Sequence, residues 1–400
     1  VSEDRPAGDA SGGSIAHPIL AGVIGSVTGF ASSFALVLAG AGAVGATTAE
    51  AASGLLALCV MQGALAIVLS LTTRLPISIA WSTPGSAVLI TAGVLTHDFG
   101  VAVAAFLVTG LLIAITGLWP WLARQMTRIP APIASAMLAG ILLPICISPV
   151  QAAVQLPLLA MPPIVVWLVL SRFAPRWAVP AAVAVTAVAV VVAAGPDWAS
   201  HASFAPRLEL VPPVFDPLVV VSLAVPLYLV TMAGQNIAGF TVLRTYGYEP
   251  VPARLILTST GLGSAAIAAL GAQTINLSAL SAAIMVGDQH TPKDRRWIAT
   301  VTAGCCYVLL GLGAGVAGSL VSASPPILIE SVAGLALLGA LITAITGALA
   351  DPAGRLVAIG TFVTVASGIV VAGLGSAFWG LVVGGVMWLV LRAGRRPSPA

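Results

Sequence analysis

Residues 76–85 read Pro76-Ile77-Ser78-Ile79-Ala80-Trp81-Ser82-Thr83-Pro84-Gly85. β-Branched and aromatic side chains fill the first half, which favours extended chain. Pro84 suits the first turn of a helix and not its middle. The stretch therefore predicts a short strand that gives way to a helix at Pro84, with Ser82 or Thr83 as N-cap. It opens an apolar run over 76–95, close to the ~20 residues that cross a bilayer as helix. Only half of this span is helix, and irregular backbone survives at membrane depth only where it is buried in protein or lines a cavity.

A second such segment lies 194 positions downstream. Thr274-Ile275-Asn276-Leu277-Ser278 precedes the apolar run Ala279 to Val286, with Asn276 or Ser278 as candidate caps. The same spacing relates Pro132, Ala139 and Gly140 to Pro326, Ala333 and Gly334, and Gly93, Gly110 and Gly117 to Gly287, Gly304 and Gly311. Two half-helices running in opposite directions bring their N-termini together near the midplane. Their unpaired N–H groups then form an anion site, each helix end contributing about 0.3–1 kcal/mol. The alternative is a helix merely kinked at Pro84, its hydroxyls bonded back to carbonyls.

The rest of the chain is built for lipid. Of 400 residues 59% are hydrophobic and 7% charged, against about 25% charged in a soluble domain. Apolar segments fall at 18–44, 50–71, 76–95, 99–119, 130–147, 154–170 and 177–195, then at 217–243, 251–270, 272–289, 297–318, 325–348, 353–371 and 374–391. The expected fold is an all-α polytopic membrane protein with fourteen transmembrane segments in two seven-span repeats, 18–195 and 217–391. Spans 3 and 10 are each a short strand plus a half-helix. An odd number of spans per repeat inverts the second relative to the first, as in many secondary transporters. With the N-terminus inside, fifteen of sixteen basic residues fall in inner loops and only Arg207 outside, as the positive-inside rule requires. Both termini are then expected to be cytoplasmic. Residues 1–17 show no cleavable leader pattern. Trp119, Trp121, Trp177, Trp297 and Trp388 fall near span ends, where interfacial aromatics belong.

Polar residues within spans are few. Span 8 carries Gln235-Asn236, aligned at a spacing near 203 with Ser32-Ser33 of span 1. Buried amides need partners, so this pair is either a helix–helix clamp or a ligand contact. Phe30, Phe34 and Trp81 can supply an aromatic wall. The candidate binding set is thus Phe30, Ser32, Trp81, Ser82, Thr83, Gly85, Gln235, Asn236, Asn276 and Ser278, around a small anion. Glu330 is the one acid well inside a span, a candidate proton carrier or a residue that snorkels to the outer surface. His97-Asp98 and Asp288/His290 lie at the ends of the interrupted spans, as relay candidates or solvated loop residues. The four cysteines sit in apolar runs without metal-ligand spacing and read as reduced packing residues. Gly313 to Gly318 fits GxGxxG but lies in an apolar span without βαβ context, so helix packing explains it. Gly380 and Gly384 form a GxxxG that suits packing within the chain or a dimer face. No nucleophile–base or metal constellation is visible, and neither an enzyme, a cofactor or metal, nor a nucleic-acid partner is expected.

The runs Ser78 to Gly85, Gln235-Asn236-Ile237-Ala238-Gly239 and Ala134 to Gly140 resemble the benzoate:proton symporter family of bacteria, with likeness from about Ile19 to Leu391. The resemblance implies the seven-plus-seven inverted-repeat fold shared with nucleobase and sulfate-type transporters. It also implies uptake of benzoate or a close aromatic carboxylate with a proton, across a bacterial cytoplasmic membrane, with a homodimer possible. Spans 1–4 and 8–11 would form a mobile core, and spans 5–7 and 12–14 the gate. Related nucleobase transporters carry a glutamate-histidine-isoleucine-glycine run where this chain has Gln235-Asn236-Ile237-Ala238. They also carry an acid at the span 10 half-helix, where this chain has Asn276 and Ser278. Losing both acids suits a substrate that brings its own carboxylate, and leaves the proton carrier open. Another small anion or a nucleobase on the same fold, and a passive anion channel, are the competing expectations.

Overall fold

The computed structural model describes residues 15–119, 121–122, 124, 130–194, 207–287 and 291–393. The expected relay candidates Asp288 and His290 lie outside them. The fold is mostly helical. In chain order the first half contains α1 (Ala16–Ala43), α2 (Thr48–Thr73), β1 (Ile79–Trp81), α3 (Thr83–Ala92), α4 (Phe99–Leu118), α5 (Ala131–Gln155), α6 (Pro157–Phe173) and α7 (Pro175–Ala194). The second half begins with α8 (Pro217–Thr231), a π-helical turn (Met232–Ile237), α9 (Ala238–Thr245), α10 (Ala253–Ile267), β2 (Ile275–Leu277) and α11 (Ala279–Val286). It continues through α12 (Trp297–Gly311), α13 (Ala314–Ser322), α14 (Pro326–Leu349), α15 (Arg355–Ala366) and α16 (Ser376–Ala393).

Among the described residues seven helical stretches are long and apolar enough to cross a membrane, and eight if α12 and α13 count as one bent span. Their outer surfaces carry the large apolar side chains that a lipid solvent permits, such as Val150 and Val154.

Among the described residues one of the expected continuous helices is broken and another is widened. Span 11 bends by 55° between α12 and α13. No proline causes this. The N–H groups of Leu312 and Gly313 bond three residues back, to Leu309 and Leu310, closing α12 with a tighter turn, while Gly311 lets α12 approach Cys59 of α2. The GxGxxG pattern thus marks a bend, with Gly318 seated against Ala52 and Thr48 of α2. Span 8 stays one helical stretch over Pro217–Thr245 but widens at the π-helical turn that carries Gln235 and Asn236.

The interior is organised as pairs of helices from opposite halves. α2 packs on α12, α4 on α10 and α5 on α14. Glycines set two of these contacts. A Cβ on Gly63 would lie 2.6 Å from the Gly304 carbonyl oxygen, and one on Gly304 would lie 2.7 Å from that of Gly63. Gly110 and Gly261 face each other in the same way across α4 and α10, at 2.9 and 2.7 Å. Gly380 and Gly384 of α16 face α15, around Thr361 and Val365, so this GxxxG is used within the chain. Cys59 and Cys146 are buried, whereas Cys305 of α12 is exposed, which departs from its expected packing role.

Candidate functional site

β1 and β2 pair antiparallel, with Ile79 opposite Leu277, Ala80 opposite Asn276 and Trp81 opposite Ile275. The ladder extends beyond the strands at both ends: Ser82 N–H donates to Thr274 O at 3.0 Å, and Ser278 N–H to Ser78 O at 2.8 Å. Side chains alternate across such a ribbon. Ser78, Ala80, Ser82, Thr274, Asn276 and Ser278 therefore share one face, and Ile79, Trp81, Ile275 and Leu277 the other. A polar face on a membrane-depth ribbon is a costly arrangement that needs partners or a ligand.

A half-helix leaves each strand. Ser82 caps α3, its Oγ accepting from Gly85 N–H at 3.1 Å. Ser278 caps α11, its Oγ accepting from Ser281 N–H at 3.3 Å. Each cap is worth about 1 kcal/mol. The two capping serines fall two positions beyond the 194 spacing that relates the rest of the repeat. The strands bring the two half-helix starts together, both N-termini on one ribbon.

Spans 1 and 8 hold this ribbon from equivalent positions. Ser33 Oγ accepts from Trp81 Nε1–H at 2.9 Å, and Asn236 Oδ1 accepts from the Leu277 N–H at 3.0 Å. Ser33 and Asn236 are the residues that the 203 spacing aligns, and Trp81 and Leu277 each precede a capping serine. The Asn236 carboxamide is fully buried and directs its Nδ2 to Met232 Sδ at 3.4 Å. It is a clamp on β2. Gln235, next to it, is half-buried and has no hydrogen-bond partner among the described residues. The π-helical turn separates the two roles, since a widened turn re-aims successive side chains; such turns recur at functional sites.

The other candidates distribute as follows. Asn276 is fully buried; its Nδ2 donates to Leu277 O at 3.0 Å while Oδ1 has no partner. Ser78 Oγ, on the same ribbon face, is also buried without a partner. Thr83 is half-buried at the start of α3. Ser32 Oγ is bonded back to Gly29 O at 2.9 Å. Gly85 is closed in by Leu227, Ser82 and Gln273, all within 3 Å of where a Cβ would stand, so it fills a packing position. Trp81 is 2% exposed and meets Phe30 edge-on at 5.8 Å, while Phe30 stacks on Phe34 at 5.1 Å. Gly234 faces Pro84 of α3 and Leu138 of α5, at 3.5 and 3.6 Å from a notional Cβ. The site therefore adjoins α5 as well as the ribbon.

A family model described as Benzoate membrane transport protein, BenE, matches residues 14–390. The chain belongs to the BenE family. Inner membrane protein YdcO of Escherichia coli K12 is 36% identical to this BenE chain over 375 residues, covering 93% of it and 95% of the relative. The Benzoate membrane transport protein of Acinetobacter baylyi is 31% identical over 327 residues, covering 81% and 82%. The fold is similar to that of the transmembrane domain of the cyanobacterial bicarbonate transporter BicA, with a TM-score of 0.58 at 13% identity over 92% of this chain and 97% of that one. Murine Slc26a9, an anion transporter in its inward-facing state, gives a TM-score of 0.60 at 13% identity over 95% and 69%. This BenE chain is an integral, multi-pass membrane transport protein and not an enzyme.

Several residues around the ribbon were not singled out by the linear sequence. Tyr307 of α12 is buried edge-on to Trp81 at 6.1 Å, and its hydroxyl lies beside Ser281 Oγ over Gly29. A mid-span tyrosine needs a hydroxyl partner, and that requirement was the one available clue. Thr231 Oγ1 meets Ser82 Oγ at 2.7 Å and Thr274 Oγ1 at 3.3 Å, joining span 8 to both ribbon strands. Gln273 Nε2 donates to Ser86 Oγ at 2.5 Å.

Proposed function

We propose that the chain is a secondary active transporter that imports benzoate, or a closely related aromatic carboxylate, with a proton across the cytoplasmic membrane. The observation that carries this reading is the pair of half-helices whose capped N-termini meet on one strand ribbon. Neither Pro76 to Gly93 nor Thr274 to Gly287, the strand and half-helix of each interrupted segment, contains a charged side chain. The positive charge offered to a ligand is then that of helix ends and backbone N–H groups, which suits a substrate carboxylate. Membership of a family described by benzoate transport, and a relative of that name, support the aromatic acid.

In this reading there are fourteen spans. The seven long helical stretches and the bent pair are joined by four shorter apolar helices, Pro157–Phe173, Trp177–Ala193, Pro352–Ala366 and Ser376–Leu391, and by the two strand–half-helix segments. The helix pairs support an inverted repeat over 18–195 and 217–391. Exchanging the halves carries the α2–α12 pair onto α10–α4 and leaves β1–β2 and α5–α14 each paired with itself. The matched glycines Gly110 and Gly304 occupy equivalent places in the two exchanged pairs. Spans 1–4 and 8–11 then form the mobile core, and spans 5–7 and 12–14 the gate, with both termini cytoplasmic.

The substrate carboxylate sits between Ser82–Gly85 and Asn276–Ser278. Gln235 and the unpartnered Asn276 Oδ1 face it as polar contacts, a water or proton bridging the latter. The ring rests against Phe30 and Trp81. Asn236 and Ser33 act one step back, by fixing the strands. Uptake of radiolabelled benzoate into proteoliposomes tests the reading: accumulation above equilibrium under an inward proton gradient, abolished by a protonophore, is expected. Equilibration that ignores the gradient would establish a channel instead. Gln235→Ala and Asn276→Ala are expected to raise the KM for benzoate about tenfold, one lost polar contact each, with folded protein unchanged. Wild-type kinetics in both would remove the substrate from this place.

A further inference from the structure

Glu330 lies in the second turn of α14, half-buried, and Ser148 Oγ of α5 reaches its Oε2 at 3.4 Å. Ser148 stands between two in-helix prolines, Pro144 and Pro149. Each lacks an N–H, so each leaves a carbonyl one turn earlier without its helical donor. One of these, Ile145 O, abuts Gly334 of α14, where a Cβ would collide with it. Ser148 Oγ also lies 3.4 Å from Pro144 O. The next residue, Ser331, carries a fully buried hydroxyl without a partner. The Glu330 carboxyl thus meets one hydroxyl, Ser148 Oγ, one turn before a seam where α5 and α14 touch backbone to backbone at Gly334.

No cation pairs with it among the described residues. The other titratable or charged groups on elements packed against α14 are Cys146 on α5, His17 on α1, Arg172 on α6, Arg176 on α7 and Arg355 on α15. α5 and α14 run antiparallel, since Ser148 meets Glu330 while Ser135 meets Gly347. Arg355 follows the far end of α14. Arg172 and Arg176 flank the α6–α7 junction, a helix length away from the Gln155 end of α5. His17 lies at the start of α1, whose Phe34 and Ala35 line a crevice with Ile329 and Val332; at 1.5 Å per residue His17 and Phe34 are about 25 Å apart on α1. Of these groups, Cys146, two residues before Ser148, is the one on the stretch of α5 that meets Glu330.

We infer that Glu330, positioned by Ser148, binds the co-transported proton; this deepens the transport reading above and rests on it. The position fits the task. Leu138 of α5 adjoins the site at Gly234, and the ten residues from Leu138 to Ser148 span about 15 Å. Glu330 is therefore offset from the substrate site along the gate helices, toward the outer side in the proposed orientation. An ionised carboxylate there repels an arriving aromatic carboxylate, and one proton on it removes the repulsion. An unpaired acid at membrane depth has this kind of role by default.

The test compares two fluxes in proteoliposomes: benzoate counterflow without a pH gradient, and uphill benzoate accumulation under an inward proton gradient. Glu330→Gln is expected to keep counterflow within about twofold of wild type and to lose accumulation together with its pH dependence. Wild-type accumulation in Glu330→Gln would overturn the inference while leaving the transport reading intact. Absence of counterflow in the wild-type protein would instead overturn the transport reading. Should Glu330→Gln not fold, Ser148→Ala decides. Loss of its hydroxyl is expected to move the midpoint of the pH–uptake profile by about half a unit or more, with counterflow unchanged. An unmoved midpoint would overturn the assignment.

Discussion

Gly304→Leu is expected to abolish recovery of folded transporter. The α2–α12 contact has no room for a side chain at this position, because the obstacle is the Gly63 carbonyl at 2.7 Å and Ile67 Cγ1 at 2.7 Å from the first added carbon. A backbone carbonyl inside a helix cannot rotate away, so the helices themselves must separate. Alanine alone forces that shift and should cost about 1–3 kcal/mol, the usual range for overpacking. Leucine adds three more carbons to a site already closed. Its cost is then comparable to a large part of the 5–15 kcal/mol that separates folded from unfolded chains. Gly339→Leu is the matched control: it lies within α14 but nothing stands within 4 Å of its Cβ position. Monodisperse protein recovered after detergent extraction should vanish for Gly304→Leu and persist for Gly339→Leu. Equal recovery of the two would show that the close approach of α2 and α12 is dispensable.

The second large effect is expected at Asn236. Asn236→Leu removes the acceptor for the Leu277 N–H and leaves that donor buried at the outer edge of β2. An orphaned buried donor costs about 1–3 kcal/mol. The consequence falls on the ribbon, because Leu277 is adjacent to Ser278, which caps α11. Transport should drop tenfold or more through the maximal rate, while Gln235→Ala acts through KM. A change in KM alone at Asn236 would mean that its carboxamide meets substrate directly, and the clamp would have to be abandoned.

The interrupted spans were legible because proline, serine and glycine have positional meaning. Pro84 could sit only in a first turn, and Ser82 and Ser278 had the shape of caps. What they cap to was not legible. That Ser78 and Ser278 share a hydrogen bond, or that Asn236 reaches a backbone N–H on a strand far along the chain, depends on which spans become neighbours. The sequence left Gln235 and Asn236 as equals; the π-helical turn divides them, and no residue in Met232–Ile237 announces a wider turn. The bend after α12 was missed for a similar reason. Glycines in an apolar run suit close packing and redirection equally well, and here Gly311 and Gly318 both pack against α2 while the chain turns at Leu312 and Gly313.

The ribbon also bears on how the protein is made. β1 leaves the ribosome long before β2, and at about 5–20 residues per second the interval is on the order of ten seconds or more. During that time an unpaired strand edge stands at membrane depth, where open backbone groups are costly. Ser70 of α2, already synthesised, donates to Ile77 O at 3.3 Å just ahead of the strand, and so gives the newborn segment one partner from its own half. The inner edge has to wait. Biogenesis of this protein is therefore a problem of holding a half-built centre open until the other half arrives, and any factor that assists its insertion should act between those two moments.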